Sequence, residues 1–264
     1  PDRATHIGAY AFYRQTALTK VIMGPNCRLT EIGQYAFAHT TTTGSKLTTL
    51  TLGNHLQVVR DSAFSRAKLT GDLVLPKSVV LLESHAFRHN SFTTVTFEAG
   101  GTEPLVLGGE YIFGNNTLMT KVTLPARLVD AYDIDNWSGV PVKNFVTQFG
   151  GNTKLASIEL EEGCELFVVV DGIFYERNDQ GEVDTLLYCP PAKTGDVFIP
   201  REVRKVENGA FSLTSLTSII FEEYPQNHEN YGMPLLELGS PDTAETQYLP
   251  VTSLSGGELY AVIG

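Results

Sequence analysis

Two histidines stand at a spacing that could bind a metal ion. His85 and His89 are four residues apart, and on a helix this spacing would present both imidazoles to one metal. The pair brackets Ala86-Phe87, and no carboxylate or cysteine stands at ligand spacing from it. We therefore interpret both residues as surface histidines and expect no metal site.

The acidic residues offer a second candidate for metal chemistry. Asp133-x-Asp135 begins like a calcium-binding loop, but Trp137 stands where the third oxygen ligand belongs. Neighbouring acids such as Glu161-Glu162 would face opposite ways in a strand, which is wrong for an acid/base pair that shares one substrate. The sequence has no G-x-S-x-G elbow, HExxH motif or glycine-rich phosphate loop before a helix. We predict no catalytic residue, no cofactor and no enzymatic activity.

The three cysteines leave two possibilities open. Cys164 and Cys189 are 25 residues apart and could form a disulfide if the fold brings their Cα atoms within about 7 Å. Two buried free thiols fit the sequence equally well. Cys27 stays unpaired in either case.

Charge and composition exclude several classes of protein. Among 264 residues, 30 acids against 19 bases give a net charge of −11, which disfavours binding to nucleic acid or to anionic membranes. Hydrophobic residues make up 42 %, enough for a sizeable core. No apolar run approaches the roughly 20 residues of a membrane span, so we expect no membrane insertion by this segment. Because the chain starts at Pro1 without a signal-like segment, we expect a processed or excised piece of a protein.

A repeated Ala-Phe pair organises the chain. The phenylalanines of its first copies, with Ile112-Phe113 in the same role, are spaced 25, 27, 23 and 26 residues apart. An aliphatic residue stands five positions before most of these phenylalanines. The pairs are Ala11-Phe12, Ala36-Phe37, Ala63-Phe64, Ala86-Phe87 and Ala210-Phe211.

A second block follows each pair and reads Leu-x-x-aliphatic-x-apolar. Its alternation, as in Thr49-Leu50-Thr51-Leu52, has the period of a strand with one buried face. Copies begin at Leu18, Leu47, Phe92, Leu155 and Leu216, and longer copies begin at Leu69 and Leu118.

These two blocks predict a solenoid. A unit of about 25 residues cannot bury its own leucine and phenylalanine, but stacked units bury them against their neighbours. We therefore expect Phe37, Phe64 and Phe87 in the core and the strands of successive coils in one parallel sheet. An ordinary β-sandwich is the alternative, but it does not explain the fixed Ala-Phe offset.

The pattern I-G-x-x-A-F, followed by L-T-x-V-x-L-P, resembles the BspA-like leucine-rich repeat family of bacterial surface proteins. The stretches 125–137, 172–191 and 199–211 also look like that family, and the resemblance covers about residues 6 to 223. The family often has a cysteine shortly after the Ala-Phe pair, where this chain has residues such as Gln15, Ala67 and Asn90. The resemblance implies a leucine-rich repeat solenoid of right-handed coils with a parallel sheet on its concave face and little helix. It also implies a secreted or cell-surface location, a role in adhesion or partner binding, and no enzymatic activity.

The expected domain organisation is one solenoid over residues 1–223. Its regularity breaks at about 125–153, where Leu128, Val129, Tyr132 and Ile134 fit one face of a short helix. A hairpin insert is expected at about 172–191. Residues 224–264 are predicted to form a last irregular coil or a C-terminal cap, because 200–264 repeats the pattern of 76–140.

The outward residues of the concave sheet are the candidate binding site. We expect an extracellular interaction or adhesion module that acts as a monomer and binds a protein or glycan there. Two alternatives remain open: the face is merely solvated, or the chain is a structural spacer or an accessory domain without its own ligand. The candidate residues are Thr49, Thr51, Asp72, Val74, Thr94, Thr96, Lys121 and Thr123.

Overall fold

The computed structural model describes residues 3–24, 26–134, 141–222 and 237–238. The chain divides into two compact units, Pro1–Cys164 and Glu165–Gly264. Parallel strands of successive coils dominate both units, and one four-residue helix is the only helix in the described part. These features confirm the predicted β-solenoid fold.

The described residues of the first unit form thirteen strands and the helix. The strands are β1 His6–Ile7, β2 Lys20–Ile22, β3 Glu31–Ile32, β4 Thr49–Thr51, β5 Val58–Val59, β6 Thr70–Leu75, β7 Leu81–Glu83, β8 Ser91–Phe97, β9 Leu105–Gly108, β10 Lys121–Leu124, β11 Leu128–Ile134, β12 Pro141–Lys143 and β13 Ser157–Leu160, and the helix is α1 Phe145–Gln148.

Most coils of this unit contribute one strand to each of two sheets. The first sheet has the order β1-β3-β5-β7-β9-β11-β12 and is parallel except for its last pair. The Leu-x-x-aliphatic blocks form the four-stranded sheet β13-β10-β8-β6 and the separate pair β2-β4, all parallel, and we call the two together the second sheet. The sequence predicted the second sheet and missed the first, because strands of two or three residues show no alternation to detect.

The phenylalanines of the repeat form one continuous stack in the first unit. Neighbouring rings are parallel to within 11° and their centroids are 5.0–5.8 Å apart. From Phe12 to Phe113, each backbone N–H of the column donates to the carbonyl just before the phenylalanine of the next coil, and the first three of these carbonyls belong to the small alanines of the repeat. The expected burial of Phe37, Phe64 and Phe87 is confirmed. The column consists of Phe12, Phe37, Phe64, Phe87, Phe113 and Phe149.

Buried asparagines tie the later coils of this column together. They stand three residues after a column phenylalanine, at Asn90, Asn116 and Asn152. The Asn90 amide donates to the carbonyls of Phe64 and Phe87, both at 2.9 Å. Asn116 donates in the same way to the carbonyls of Phe87 and Phe113, and Asn152 donates to the carbonyl of Phe113. The family cysteine is therefore replaced here by a hydrogen-bonding residue.

Four corners of the first unit, at Phe12, Phe64, Phe87 and Phe113, have left-handed backbone on both sides of the phenylalanine. Tyr10, Tyr35 and His85 stand two residues before a column phenylalanine and have φ between 54° and 59°. Arg14 and Arg66 stand two residues after one, with φ of 60° and 54°. Side chains other than glycine rarely adopt this conformation. We call the side chains two before, one after and two after each column phenylalanine the corner face.

The short helix predicted from Leu128 to Ile134, within the break at about 125–153, is wrong, because these residues form strand β11. A bulge between Leu128 and Asp130 shifts the pairing with β9, and it buries Leu128 and Ala131 at a spacing of three. That spacing imitates helical periodicity. A single helical turn, α1, does follow, and the Asn144 side chain accepts the Thr147 N–H as its N-cap. Asp135 and Trp137 lie outside the described residues.

The second unit begins with antiparallel strands and returns to parallel pairing. Its strands β14, β15 and β16 pair antiparallel, β16-β18-β20 are parallel, and β17-β19 form a parallel pair. Tyr175 and Leu186, which pair across β15 and β16, are fully buried. Apart from 237–238, the predicted last coil at 224–264 lies outside the described residues. The strands are β14 Phe167–Val170, β15 Ile173–Arg177, β16 Val183–Tyr188, β17 Thr194–Ile199, β18 Lys205–Val206, β19 Ser215–Phe221 and β20 Glu237–Leu238.

Candidate functional site

The parallel register of the second sheet places the candidate binding residues in two rows. Asp72 pairs with Thr94, which pairs with Lys121, and Val74 pairs with Thr96 in the next row. Thr96 in turn pairs with Thr123. In the pair β2-β4, Thr49 and Thr51 stand opposite Lys20 and Ile22. We call the outward side chains of these strands the sheet face. The register thus aligns Asp72 and Val74 with the candidates on β8 and β10, as the spacing of the repeat predicted.

Asp72 holds two neighbouring threonines on the sheet face. Its Oδ1 accepts hydrogen bonds from Thr93 Oγ1 at 2.7 Å and from Thr94 Oγ1 at 2.8 Å. These bonds, from Thr93 and then from Thr94, hold the pKa of the Asp72 carboxyl below its usual value. Gly71 lies just before Asp72 with φ of 78°, at the register shift that brings the carboxylate over β8.

The second unit repeats this arrangement 124 residues later. Asp196 accepts from Thr217 at 3.1 Å and from Ser218, and Gly195 has φ of 83° at the matching register shift. Phe198 stands where the first unit has Val74, and both side chains are 49 % exposed. A large apolar residue is thus presented at the same position of each module.

Exposed apolar residues distinguish the sheet face from an ordinary solvated surface. Ile22, which pairs with Thr51, is 66 % exposed. Few charges interrupt this face: Lys20 lies on β2, Asp72 is held by threonine hydroxyls, and Lys121 Nζ forms an ion pair of 2.7 Å with Glu159 Oε1. The face can therefore offer methyl groups and hydroxyls to a partner without first desolvating many charges.

The first sheet carries a different, charged surface. Arg60 bridges three coils, with its Nε 3.0 Å from Glu31 Oε1 and its Nη1 2.6 Å from Glu83 Oε1. The hydrogen bond from Arg60 lowers the pKa of Glu31. These charges already satisfy one another, which makes this surface a poor candidate for binding further ionic groups.

The histidine pair does not form a metal site in the structure. His85 and His89 lie in a left-handed corner and not on a helix. His85 contacts two acids, with Nε2 3.4 Å from Glu110 Oε1 and Nδ1 3.9 Å from Asp61 Oδ1. Within the described residues, no three side chains of His, Cys, Asp or Glu are placed to hold a metal ion.

All three cysteines are free thiols, which resolves the question left open for Cys164 and Cys189. Cys189 is buried, and burial raises the pKa of its thiol to about 12. It is therefore protonated at neutral pH and inert as a nucleophile. Cys27 and Cys164 are half-buried.

The corner face is the surface that sequence analysis missed. Its tyrosines Tyr10 and Tyr35 stack at 5.1 Å, and Arg88 lies over the ring of Tyr111 at 4.6 Å from its centroid. A cleft of about 370 Å³ opens beside Arg66 and Arg88. The signal was present in the sequence as recurrent Tyr, Arg and His next to the Ala-Phe pairs, but the pairs themselves were interpreted only as core residues.

A second cavity, of about 510 Å³, lies at the first coils. Its lining is largely apolar and includes Phe12, Val21 and Met23. Phe12 is 44 % exposed there because no further ring stacks on its outer side within the described residues.

Comparison with known families gives the assignment. The family description of the BspA type leucine rich repeat region matches residues 41–134 and 188–233, in six copies, which is just over half of the chain. The chain belongs to the BspA-type leucine-rich repeat family. A comparison with curated protein sequences finds no significant match. No helix among the described residues of this BspA-type chain has the length and hydropathy needed to cross a membrane.

Solved structures of leucine-rich repeat proteins share the fold at low sequence identity. The pneumococcal vaccine antigen PcpA aligns with a TM-score of 0.59 and 18 % identity over 90 % of this BspA-type chain and 53 % of its own. A leucine-rich repeat protein from Bacteroides ovatus ATCC 8483 aligns with a TM-score of 0.53 and 16 % identity over 89 % and 55 %. A leucine rich cell surface protein from Faecalibacterium prausnitzii A2-165 gives 0.47 and 20 % over 84 % and 53 %. The chain spans about half the length of these structures.

Proposed function

We propose that the chain is a non-catalytic interaction module of a secreted or cell-surface protein, and that it binds a protein partner as a monomer. Membership of the BspA-type family supports the general role. The observation that carries the proposal is the sheet face, on which Ile22 and Val74 are exposed in register with threonines. Apolar residues that stay exposed on a regular surface are typical of a contact region.

The sheet face is suited to a protein partner because it is rigid before binding. Its side chains are held by the sheet register, and Asp72 fixes Thr93 and Thr94 by hydrogen bonds. A pre-organised surface loses little conformational entropy when it is covered. The rows of threonine methyls and hydroxyls fit a flat protein surface with backbone or side-chain polar groups at its rim.

The proposal is tested by adding positive charge to the sheet face. A partner would be isolated with the immobilised chain from surface proteins of neighbouring cells, purified, and titrated against the wild type and a Thr49→Lys, Thr94→Lys variant. We expect the variant to bind at least about tenfold more weakly, because two buried lysines would have to be desolvated at the interface.

A matched control separates the face from charge alone. Thr102→Lys with Thr153→Lys adds the same charge at two exposed threonines in loops outside the sheet face, and it should bind like the wild type. Equal binding by the sheet-face variant and the wild type would refute the proposed surface. If none of the purified surface proteins binds the chain, the interaction role itself is refuted.

Nucleic acid is not expected among the partners. With a net charge of −11, the chain should pass through a column of immobilised double-stranded DNA at physiological ionic strength. Elution would be followed by absorbance across a salt gradient. Retention that is released only by added salt would show that a basic surface outweighs the net charge.

A further inference from the structure

The cleft of the corner face has the size and position of a ligand site. Its volume of about 370 Å³ lies at the small end of ligand pockets, which hold roughly 300–1,000 Å³. The hydroxyls of Thr40 and Ser65 contribute to its lining. Its principal lining residues are Tyr13, Tyr35, His39, Arg66, His85 and Arg88.

Positive charge gathers at this cleft on a strongly acidic protein. Arg66 and Arg88 come from successive coils, and no lining residue carries a carboxylate. Asp61 and Glu110 contact the His85 ring but do not line the cleft. The pKa of nearby His89 is lowered, first by burial and then by the charges of Arg66 and Arg88. The arginines that line the cleft itself favour an anion.

Two buried side-chain nitrogens of the lining have no partner among the described residues. Arg88 Nε and His39 Nε2 are buried and make no hydrogen bond there. A buried polar atom without a partner is costly, and in native structures it usually has a reason. An acceptor oxygen supplied by a ligand would satisfy a guanidinium N–H with a charge-assisted hydrogen bond.

The backbone holds these side chains at an energetic cost. Tyr35, Arg66 and His85 all have left-handed φ, between 54° and 58°. Glycine or asparagine adopts this conformation more readily than tyrosine, arginine or histidine. The same conformation recurs at Tyr10, Arg14 and His89, so the repeat imposes it and fixes the directions of the side chains at the cleft.

We propose that this cleft binds an acidic sugar, with its carboxylate or sulfate on Arg66 and Arg88 and its ring against Tyr13 and Tyr35. Aromatic side chains with polar tips offer an apolar face to the C–H groups of a sugar ring. The hydroxyls of Thr40 and Ser65 match the remaining sugar hydroxyls. An acidic peptide would use the arginines but would leave the aromatic lining without an equivalent contact, so the sugar fits better.

The test is calorimetric titration of the full chain at low salt with defined probes. A galacturonic acid trisaccharide carries carboxylates only, N-acetylgalactosamine 6-sulfate carries a sulfate only, and maltotriose is the neutral counterpart. We expect one or both acidic sugars to bind, maltotriose to bind at least about tenfold more weakly, and added salt to weaken binding. Arg66→Gln with Arg88→Gln should abolish binding, and Tyr13→Leu should weaken it several-fold.

Controls decide between the proposal and simpler explanations. Arg3→Gln with Arg28→Gln removes the same charge at two exposed arginines away from the cleft and should leave sugar binding unchanged. Thermal unfolding followed by circular dichroism verifies that every variant is folded. The proposal is overturned if maltotriose binds equally, if sodium sulfate alone binds as tightly, or if both arginine pairs have the same effect. Tighter binding of an acidic tripeptide or a single-stranded oligonucleotide would also overturn it.

Discussion

Truncating Phe64 to alanine should lower the free energy of unfolding by about 3–5 kcal/mol. Phe64 is fully buried, and its ring stacks on Phe37 at 5.1 Å and on Phe87 at 5.4 Å. The substitution removes both stacking contacts and leaves a cavity that the hydrogen-bonded backbone of the corner cannot close. Urea unfolding of the full chain, followed by circular dichroism, measures the change.

The first ring of the same column provides the control. Phe12 is 44 % exposed and stacks on one described ring only, at 5.0 Å. Phe12→Ala should therefore cost clearly less than Phe64→Ala, because less apolar surface returns to water and no enclosed cavity forms. Equal losses for the two variants would contradict the stack as the source of the stability.

Replacing Asn90 by leucine should cost about 2–5 kcal/mol, although leucine has nearly the same size. The Asn90 amide donates to two carbonyls, and its Oδ1 accepts the Leu69 N–H at 3.0 Å. Leucine would leave the Leu69 N–H buried without a partner, at about 1–3 kcal/mol, and the carbonyls of Phe64 and Phe87 would each lose one of their two hydrogen bonds, at about 0.5–1.5 kcal/mol each. The same urea unfolding experiment measures the loss.

Two further variants isolate the hydrogen bonds. Asn54 is exposed, so Asn54→Leu should change stability by no more than about 0.5 kcal/mol. Asn90→Asp should be unstable at neutral pH, because an ionised carboxylate facing carbonyl oxygens cannot donate. Its folded-state pKa would be raised, so its stability should recover as the pH falls and decline as the pH rises. No recovery in acid would argue that size, and not donation, matters at this position.

The sequence predicted the elements whose side chains alternate along a strand or recur at a fixed spacing. The alternation of Thr49-Leu50-Thr51 predicted the second sheet, and the Ala-Phe offset predicted the buried column. The first sheet was missed because strands such as Glu31–Ile32 are defined by backbone pairing between coils. Strand β11 was mistaken for a helix because its bulge at Leu128 imitates helical spacing.

The surface was harder to predict than the core. The residues of the sheet face could be predicted because every second residue of a strand points outward. The spacing of the repeat then aligns Asp72, Thr94 and Lys121 on neighbouring strands. The corner face depends on left-handed backbone that turns Tyr35 and Arg66 to one side, and no local pattern reveals that conformation at bulky residues. Asn90 and Phe149 were likewise overlooked, since their roles depend on partners in other coils.

The phenylalanine column separates what this fold must keep from what it is free to vary. Between Phe113 and Phe149 the chain takes 36 residues to complete a coil, against 23 between Phe64 and Phe87, yet the rings are 5.7 and 5.4 Å apart. Only a few positions per coil encode the architecture, and the segments between them can change in length and sequence independently. Because so few positions are constrained, PcpA can share the fold at 18 % identity. It also makes the connecting segments natural places to graft foreign loops without redesigning the core.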